Sequence, residues 1–208
     1  MKLIETMRAR NGAVPLWALH MARLERSCTS LGIAFPELVQ PRGGADRIIR
    51  LLVGSTGAAS GERDVPVTAP IRLTISALPH PGYLHKTTRR EAFTAALADA
   101  VAAGADDALL LTPEGFAAET ARWGIYWWEA DSLAAPDPSL GILPSVARAR
   151  IEEIAGPIVP RRVEPAALGG RALFLANAAR GIVEVAALHG ESVPREGRTA
   201  MLQGRFWP

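Results

Sequence analysis

Leu84-His85-Lys86-Thr87-Thr88-Arg89-Arg90 is the stretch from which the rest of the chain can be read. Of the 23 lysines and arginines only Lys2 and Lys86 are lysine, so 21 are arginine. Arginine keeps its proton in proteins, whereas a lysine amine can be neutralised by burial and then attack a carbonyl. Lys86 is therefore either a surface cation that escaped a bias toward arginine or an amine kept for chemistry. Its neighbours bear on the choice. The run Pro79-His80-Pro81-Gly82 breaks the chain just before it, and an alanine-rich helical pattern from about Thr88 to Ala103 follows.

Working outward, Leu3 to Arg10 reads as a strand, Asn11-Gly12 as a hairpin turn and Ala13 to Trp17 as its return. Leu16, Leu19, Ala22, Arg23, Arg26 and Leu31 fall on helical spacing, with Gly32 as the stop. Asp46 is placed to cap a second helix through Val53, and residues 54–70 read as a loop. Ile71 to Leu78 alternates as a strand, and the hinge between two lobes is expected at Pro79 to Gly82, giving lobes 1–79 and 84–208. Beyond Gly104, strands are expected at Ala108 to Thr112, Phe116 to Thr120, Ile125 to Glu129, Leu133-Ala134, Ala172 to Ala176 and Ile182 to Leu188. A further helix begins near Val146. The pattern is α/β, with mixed sheets in two lobes and Lys86 near their junction.

Composition narrows the class. The 208 residues are 49% hydrophobic, enough for a real core, and the net charge of +2 gives no argument for nucleic acid. A single cysteine, Cys28, excludes an internal disulfide and suits a reducing compartment. No apolar run reaches membrane-spanning length, and the expected setting is soluble and cytoplasmic, with no membrane partner. His20, His80, His85 and His189 show no metal-ligand spacing, so no metal is expected.

An enzyme that holds pyridoxal phosphate needs an amine to join its aldehyde, an acid facing the ring nitrogen and donors for the phosphate. Lys86 supplies the amine and Glu119, closing a strand, the acid. Arg23 and the helix-start turn Ser145-Val146-Ala147 supply donors for an anion. From charge and position, Arg122 or Arg180 is a candidate partner for a substrate carboxylate.

In this order the residues resemble the class IV aminotransferases, the fold-type IV pyridoxal phosphate enzymes, and most of all their aminodeoxychorismate lyase branch. Leu3-Ile4-Glu5-Thr6-Met7-Arg8 resembles the opening strand, His20 to Ser27 the helix with the phosphate arginine, and His85-Lys86-Thr87-Thr88 the lysine segment. Gly141 to Arg148 resembles the family's G-I-L-P-G-x-T-R, and Asn177-Ala178-Ala179-Arg180-Gly181 its N-x-x-R-G. The resemblance implies a small and a large α/β lobe, the cofactor between them, and a homodimer. It also implies a small-molecule amine substrate, with release of pyruvate and 4-aminobenzoate from 4-amino-4-deoxychorismate. The runner-up is an aminotransferase on branched-chain or D-amino acids. A third reading is a non-catalytic relative that binds pyridoxal phosphate.

Departures from the family pattern keep the third reading open. Ser145 and Ala147 stand where the phosphate turn usually has Gly and Thr, Gly124 where asparagine is common, Trp123 where a small residue is usual, and Phe93 where tyrosine often stands. The missing threonine hydroxyl removes one hydrogen bond to a charged group, worth roughly 1.5–3 kcal/mol. That is about ten- to a hundred-fold in cofactor affinity, partly recovered if the Ser145 hydroxyl turns inward.

Overall fold

A computed structural model describes residues 1–208. The chain opens with β1 (Leu3–Ala9), α1 (Trp17–Leu31), β2 (Arg47–Gly54) and β3 (Gly57–Arg63), and the three strands form one antiparallel sheet in the order β1-β2-β3. Successive side chains on a strand point to opposite faces. Leu3, Met7, Ile49, Leu51 and Val53 accordingly pack with Leu24 and Cys28 of α1. Ile4, Thr6, Arg50 and Arg63 line a cavity on the other side. α1 ends, as its spacing predicts, at Gly32 in the left-handed conformation.

Three expectations for this half are corrected. After Asn11-Gly12 the return is a single bridge between Arg10 and Ala13, and α1 starts at Trp17. Pro15 has no N–H with which to extend the ladder. The stretch after Asp46 is a strand, not a helix, because alternating burial of Ile49, Leu51 and Val53 against α1 rewards a two-residue period. Asp46 instead accepts hydrogen bonds from Arg8 and from the N–H of Asn11. The supposed loop 54–70 contains β3, an exposed edge strand whose small side chains give no packing signal while its backbone pairs all along β2.

The second sheet is built from β4 (Ile71–Pro79), β5 (Asp107–Leu111), β6 (Ala117–Thr120), β7 (Gly124–Glu129), β8 (Ser132–Pro136), β9 (Val159–Arg161), β10 (Leu173–Asn177) and β11 (Gly181–Leu188). Its order is β6-β5-β4-β11-β10-β7-β8-β9, with β12 (Glu191–Ser192) on β11. The β4–β5, β4–β11 and β8–β9 pairs are parallel and the rest antiparallel, the mixed sheet expected. β4 belongs here, so the sheets part within residues 64–70 and not at Pro79 to Gly82 as the 1–79 lobe edge supposed. Pro66 and Pro70 interrupt pairing there, whereas Pro79 is still in register with Leu111.

One face of the second sheet buries Leu73, Leu109, Trp127, Leu175 and Val185. The opposite face packs Tyr126, Phe174 and Ile182 against α3 (Val146–Ala155) and α4 (Gly197–Arg205) through Ile151, Leu202 and Phe206. α2 (Glu91–Ala102) covers β4 and β5 through Phe93, Ala96 and Ala100. β9, β12 and α4 lie beyond what the sequence pattern predicted. Trp127 is core. Trp128 lies under α4, its indole N–H donating to Thr199 and its ring beneath Arg198. No helix is long and apolar enough to cross a membrane.

Candidate active site

A cavity of about 310 Å³ lies between the two sheets, and Lys86, Arg23, Glu119, Ser145, Val146, Ala147, Arg122 and Arg180 all line it. Residues from one end of the chain to near the other therefore meet in one place.

Lys86 sits on an extended turn that is stitched to the first sheet. The N–H of Ile4 donates to the carbonyl of Lys86 at 2.7 Å, and the N–H of Thr88 to that of Lys2 at 2.9 Å. Tyr83 braces the turn from the other side: its hydroxyl accepts the N–H of Thr87 at 2.8 Å and donates to the Thr87 carbonyl at 2.7 Å. Burial, reinforced by the guanidinium charges of Arg23 and Arg90 and opposed by Glu5 and Glu119, pulls the Lys86 amine down to about 7. A good part of this amine is thus uncharged near neutrality and able to add to an aldehyde.

Glu119 faces Lys86 from β6. Its Oε1 accepts from His80 Nε2 at 2.9 Å and from the N–H of Leu143 at 3.2 Å, while Oε2 has no hydrogen bond within the protein. An acceptor is therefore left for a donor in the cavity.

Arg23 is held by Glu5, whose two oxygens accept its Nε (2.9 Å) and Nη2, and its Nη1 donates to the carbonyl of Pro144 at 3.3 Å. A guanidinium has five N–H donors, so two remain. His20 donates through Nδ1 to Glu5 Oε2 at 2.6 Å. Burial alone raises a carboxyl, but the Arg23 charge and the His20 and Arg23 hydrogen bonds outweigh it and hold Glu5 at about 2. Burial also drives His20 downward, so the ring is a neutral donor.

Beside Arg23, α3 begins. The N–H groups of Val146 and Ala147 have no acceptor in the protein, leaving donors and the positive end of the helix dipole for an anion. The Ser145 hydroxyl caps the helix by accepting the N–H of Arg148 at 3.3 Å, which uses an acceptor lone pair and not the O–H donor. The donor set fits pyridoxal phosphate: an amine with a sizeable uncharged fraction near pH 7, a carboxylate with one unclaimed oxygen, and an anion cradle of guanidinium and helix N–H groups.

The far wall is arginine-rich. Arg122 donates through Nε to the fully buried Asp107 at 3.1 Å, and the carboxylate also accepts the N–H groups of Ala108 and Ala121. Burial raises the Asp107 carboxyl against the pull of Arg122. Asn177 shapes the neighbouring turn: its Oδ1 accepts the N–H groups of Ala179 and Arg180, and the Arg180 guanidinium lies 5.3 Å from the centre of the Trp123 ring. Burial, then repulsion from Arg122 and Arg63, lowers the Arg180 guanidinium below its ordinary value. Arg50, Arg63 and Arg180 line the cavity with no carboxylate partner among the ion pairs of the chain.

Reading the sequence missed Glu5, His20, His80, Tyr83, Asp107, Arg50 and Arg63. Arg50 and Arg63 were hidden because their segments were read as helix and loop; once both are strands, their register puts them on one face. Asp107, one residue before the strand expected at Ala108 to Thr112, is the buried first residue of β5. The Gly124 departure has a structural counterpart: a Cβ there would lie 3.0 Å from the Tyr126 hydroxyl, which fills the space. Phe93 packs edge-on against Tyr83 and His80. The Trp123 indole N–H is buried without a partner. No group of three or more His, Cys, Asp or Glu is arranged to hold a metal ion.

The chain matches the family model described as amino-transferase class IV over residues 2–84 and 66–188. No curated protein matches it. Among solved structures, it superimposes on a protein assigned as a 4-amino-4-deoxychorismate lyase from Legionella pneumophila with TM-score 0.84 at 21% identity, covering 99% of this chain and 91% of that one. The branched-chain aminotransferase of the archaeon Thermoproteus uzoniensis gives TM-score 0.88 at 21% identity, covering 99% and 84%. A hypothetical aminotransferase from Mycobacterium tuberculosis, in its apo form, gives 0.86 at 20%, covering 99% and 87%. At these identities the likeness establishes the two-lobed fold and leaves the reaction to the site.

Proposed function

We propose that this chain, which belongs to the class IV aminotransferases, a family of pyridoxal phosphate-dependent enzymes, is a lyase that releases pyruvate and 4-aminobenzoate from 4-amino-4-deoxychorismate. The observation that carries the reading is the arginine set of the cavity: Arg180 next to Arg122, and Arg50 and Arg63 from the first sheet, with no carboxylate partner for Arg50, Arg63 or Arg180. The substrate has two carboxylates. A branched-chain amino acid has one carboxylate and an apolar side chain that makes no use of these guanidiniums, of which Arg50 and Arg63 are exposed.

Pyridoxal phosphate, when bound, supplies an aldehyde for the substrate amine and an electron-accepting ring beside the amine-bearing carbon. Arg23 and the N–H groups of Val146 and Ala147 would hold its phosphate, and Glu119 Oε2 its ring nitrogen. Lys86 is the acid–base: its neutral nitrogen takes the proton from the amine-bearing carbon, and elimination of pyruvate then leaves the six-membered ring aromatic. The leaving group departs with the C–O electron pair as enolpyruvate, and the protonated Lys86 nitrogen gives that proton to its methylene carbon, so that pyruvate is released. Arg122 and Arg180, with Arg50 and Arg63 lining the cavity from the first sheet, hold the substrate carboxylates so that the carbon faces Lys86. The homodimer expected of the family belongs to the same proposal, and light scattering of the purified chain tests it.

The activity test is an incubation with pyridoxal phosphate and 4-amino-4-deoxychorismate, without any keto acid, followed by assay of pyruvate and 4-aminobenzoate. Formation of both in equal amounts, lost in Lys86→Ala, supports the lyase. Transfer of an amino group from a branched-chain or D-amino acid to a keto acid, with no 4-aminobenzoate formed, replaces it by the aminotransferase. No turnover of either substrate by a chain that binds the cofactor marks a non-catalytic relative.

A further inference from the structure

Pro79-His80-Pro81-Gly82 was expected to be a hinge between lobes, and the structure gives it no such work. His80 is almost fully buried, and its backbone N–H donates to the carbonyl of Leu111 at 2.6 Å, which fastens it to the end of β5. Phe93 packs against the ring edge-on, with centroids 5.5 Å apart. The N–H of Gly82 donates to His80 Nδ1 at 3.2 Å. Nδ1 is thereby an acceptor, so the ring proton sits on Nε2 and points at Glu119 Oε1, 2.9 Å away. The local sequence is suited to this. Gly82 adopts φ of 69°, a conformation a side chain would strain, and that turn folds its N–H back onto the histidine two residues earlier.

We propose that His80 is a positioning residue for the carboxylate of Glu119. Together with the N–H of Leu143, it occupies Oε1 and fixes the plane of the group, so that Oε2 alone is presented to a protonated ring nitrogen in the cavity. The inference rests on the reading of the cavity as a pyridoxal phosphate site. It adds that the Glu119 contact depends on a neutral histidine held in one tautomer by a glycine turn.

The test compares the affinity of the full chain for pyridoxal phosphate and for its 1-deaza analogue, in which the ring nitrogen is replaced by C–H. Binding is measured by fluorescence titration and needs no turnover. The wild-type chain is expected to prefer pyridoxal phosphate by about ten- to a hundred-fold, the worth of one hydrogen bond to a charged group. His80→Gln places an amide N–H where Nε2 was and should keep the preference. His80→Asn, whose amide reaches only as far as Nδ1, should lose it, as should Glu119→Gln. Both histidine variants are polar and smaller than the ring, and circular dichroism checks their folding; Gly82→Ala, which disturbs the tautomer lock without touching either partner, should also lower the ratio. A His80→Asn chain that binds both ligands more weakly but with the wild-type ratio overturns the proposal, because histidine would then only support the fold. A wild-type chain that does not distinguish the ligands overturns it too, since Glu119 then does not meet the ring nitrogen. Binding of neither ligand overturns the cofactor reading itself and the proposal with it, a result distinct from the other two.

Discussion

The carbonyl oxygen of Lys86 accepts the backbone N–H of Ile4 at 2.7 Å, so the turn that carries this lysine, after β4 of the second sheet, is anchored to the opening strand of the first. The amine therefore enters the cavity from a backbone that both halves of the chain hold. Tyr83 completes the clamp with two hydrogen bonds to Thr87. Tyr83→Phe leaves a buried N–H and carbonyl of Thr87 unpaired and should destabilise the protein by about 1–3 kcal/mol, seen as a lower urea midpoint at unchanged slope. An unaltered midpoint means that the brace contributes nothing.

Lys86 should react as a neutral amine well below the pH at which lysines usually do. With its amine near 7, labelling of this side chain by an amine-directed reagent should rise with pH and level off above about 7, whereas an unperturbed lysine levels off only near about 10.4. The same shift has a sign in stability. Between those two values the unfolded chain binds a proton that the folded chain does not, so this group favours folding increasingly as pH rises through the window. Urea midpoints of wild type and Lys86→Met should diverge there, the wild type gaining relative to the variant. Parallel curves would mean an ordinary lysine.

Much of this was legible in the sequence because the chemistry is carried by rare residue types. One of only two lysines, set mid-chain among 21 arginines, a glutamate closing a strand and a serine opening a helix are visible without coordinates, and the structure brings all three into one cavity. The segment Leu143-Pro144-Ser145 shows what was not legible. Its first N–H holds Glu119, its second carbonyl holds Arg23, and its third hydroxyl caps α3. Backbone groups do most of this, and a sequence does not say where they point. The lobe boundary was misplaced for a related reason: Pro79 to Gly82 breaks a strand whose pairing with β5 and β11 is long-range, and turn chemistry alone does not reveal to which sheet the strand belongs.

The Glu5 cluster should make the protein acid-sensitive. Glu5 titrates near 2 in the folded chain, below the ordinary glutamate value of about 4.3. Its contribution is therefore complete above that ordinary value and is lost as pH falls from there toward 2. Glu5→Gln breaks a buried pair with Arg23 and should cost roughly 3–5 kcal/mol at neutral pH. It should also flatten the decline of stability between about pH 4 and 2. Thermal unfolding across that range, wild type against variant, decides it; equal slopes would show that Glu5 is not the group responsible.

Gly124 and Tyr126 should behave as a coupled pair. A methyl at Gly124 meets the Tyr126 hydroxyl at 3.0 Å and ring carbons at 3.3 and 3.4 Å. Gly124→Ala is expected to destabilise by about 1–3 kcal/mol through overpacking, and Tyr126→Phe in the same chain should recover part of that loss. A double-mutant cycle with no coupling energy would mean that the two do not share the space.

The most direct measurement of the central claim is borohydride reduction of the protein after incubation with pyridoxal phosphate, followed by peptide mapping. One pyridoxyl group on the peptide containing Lys86, absent from Lys86→Ala, is the predicted result. Label confined to Lys2 or the amino terminus, or no label at all, would contradict it.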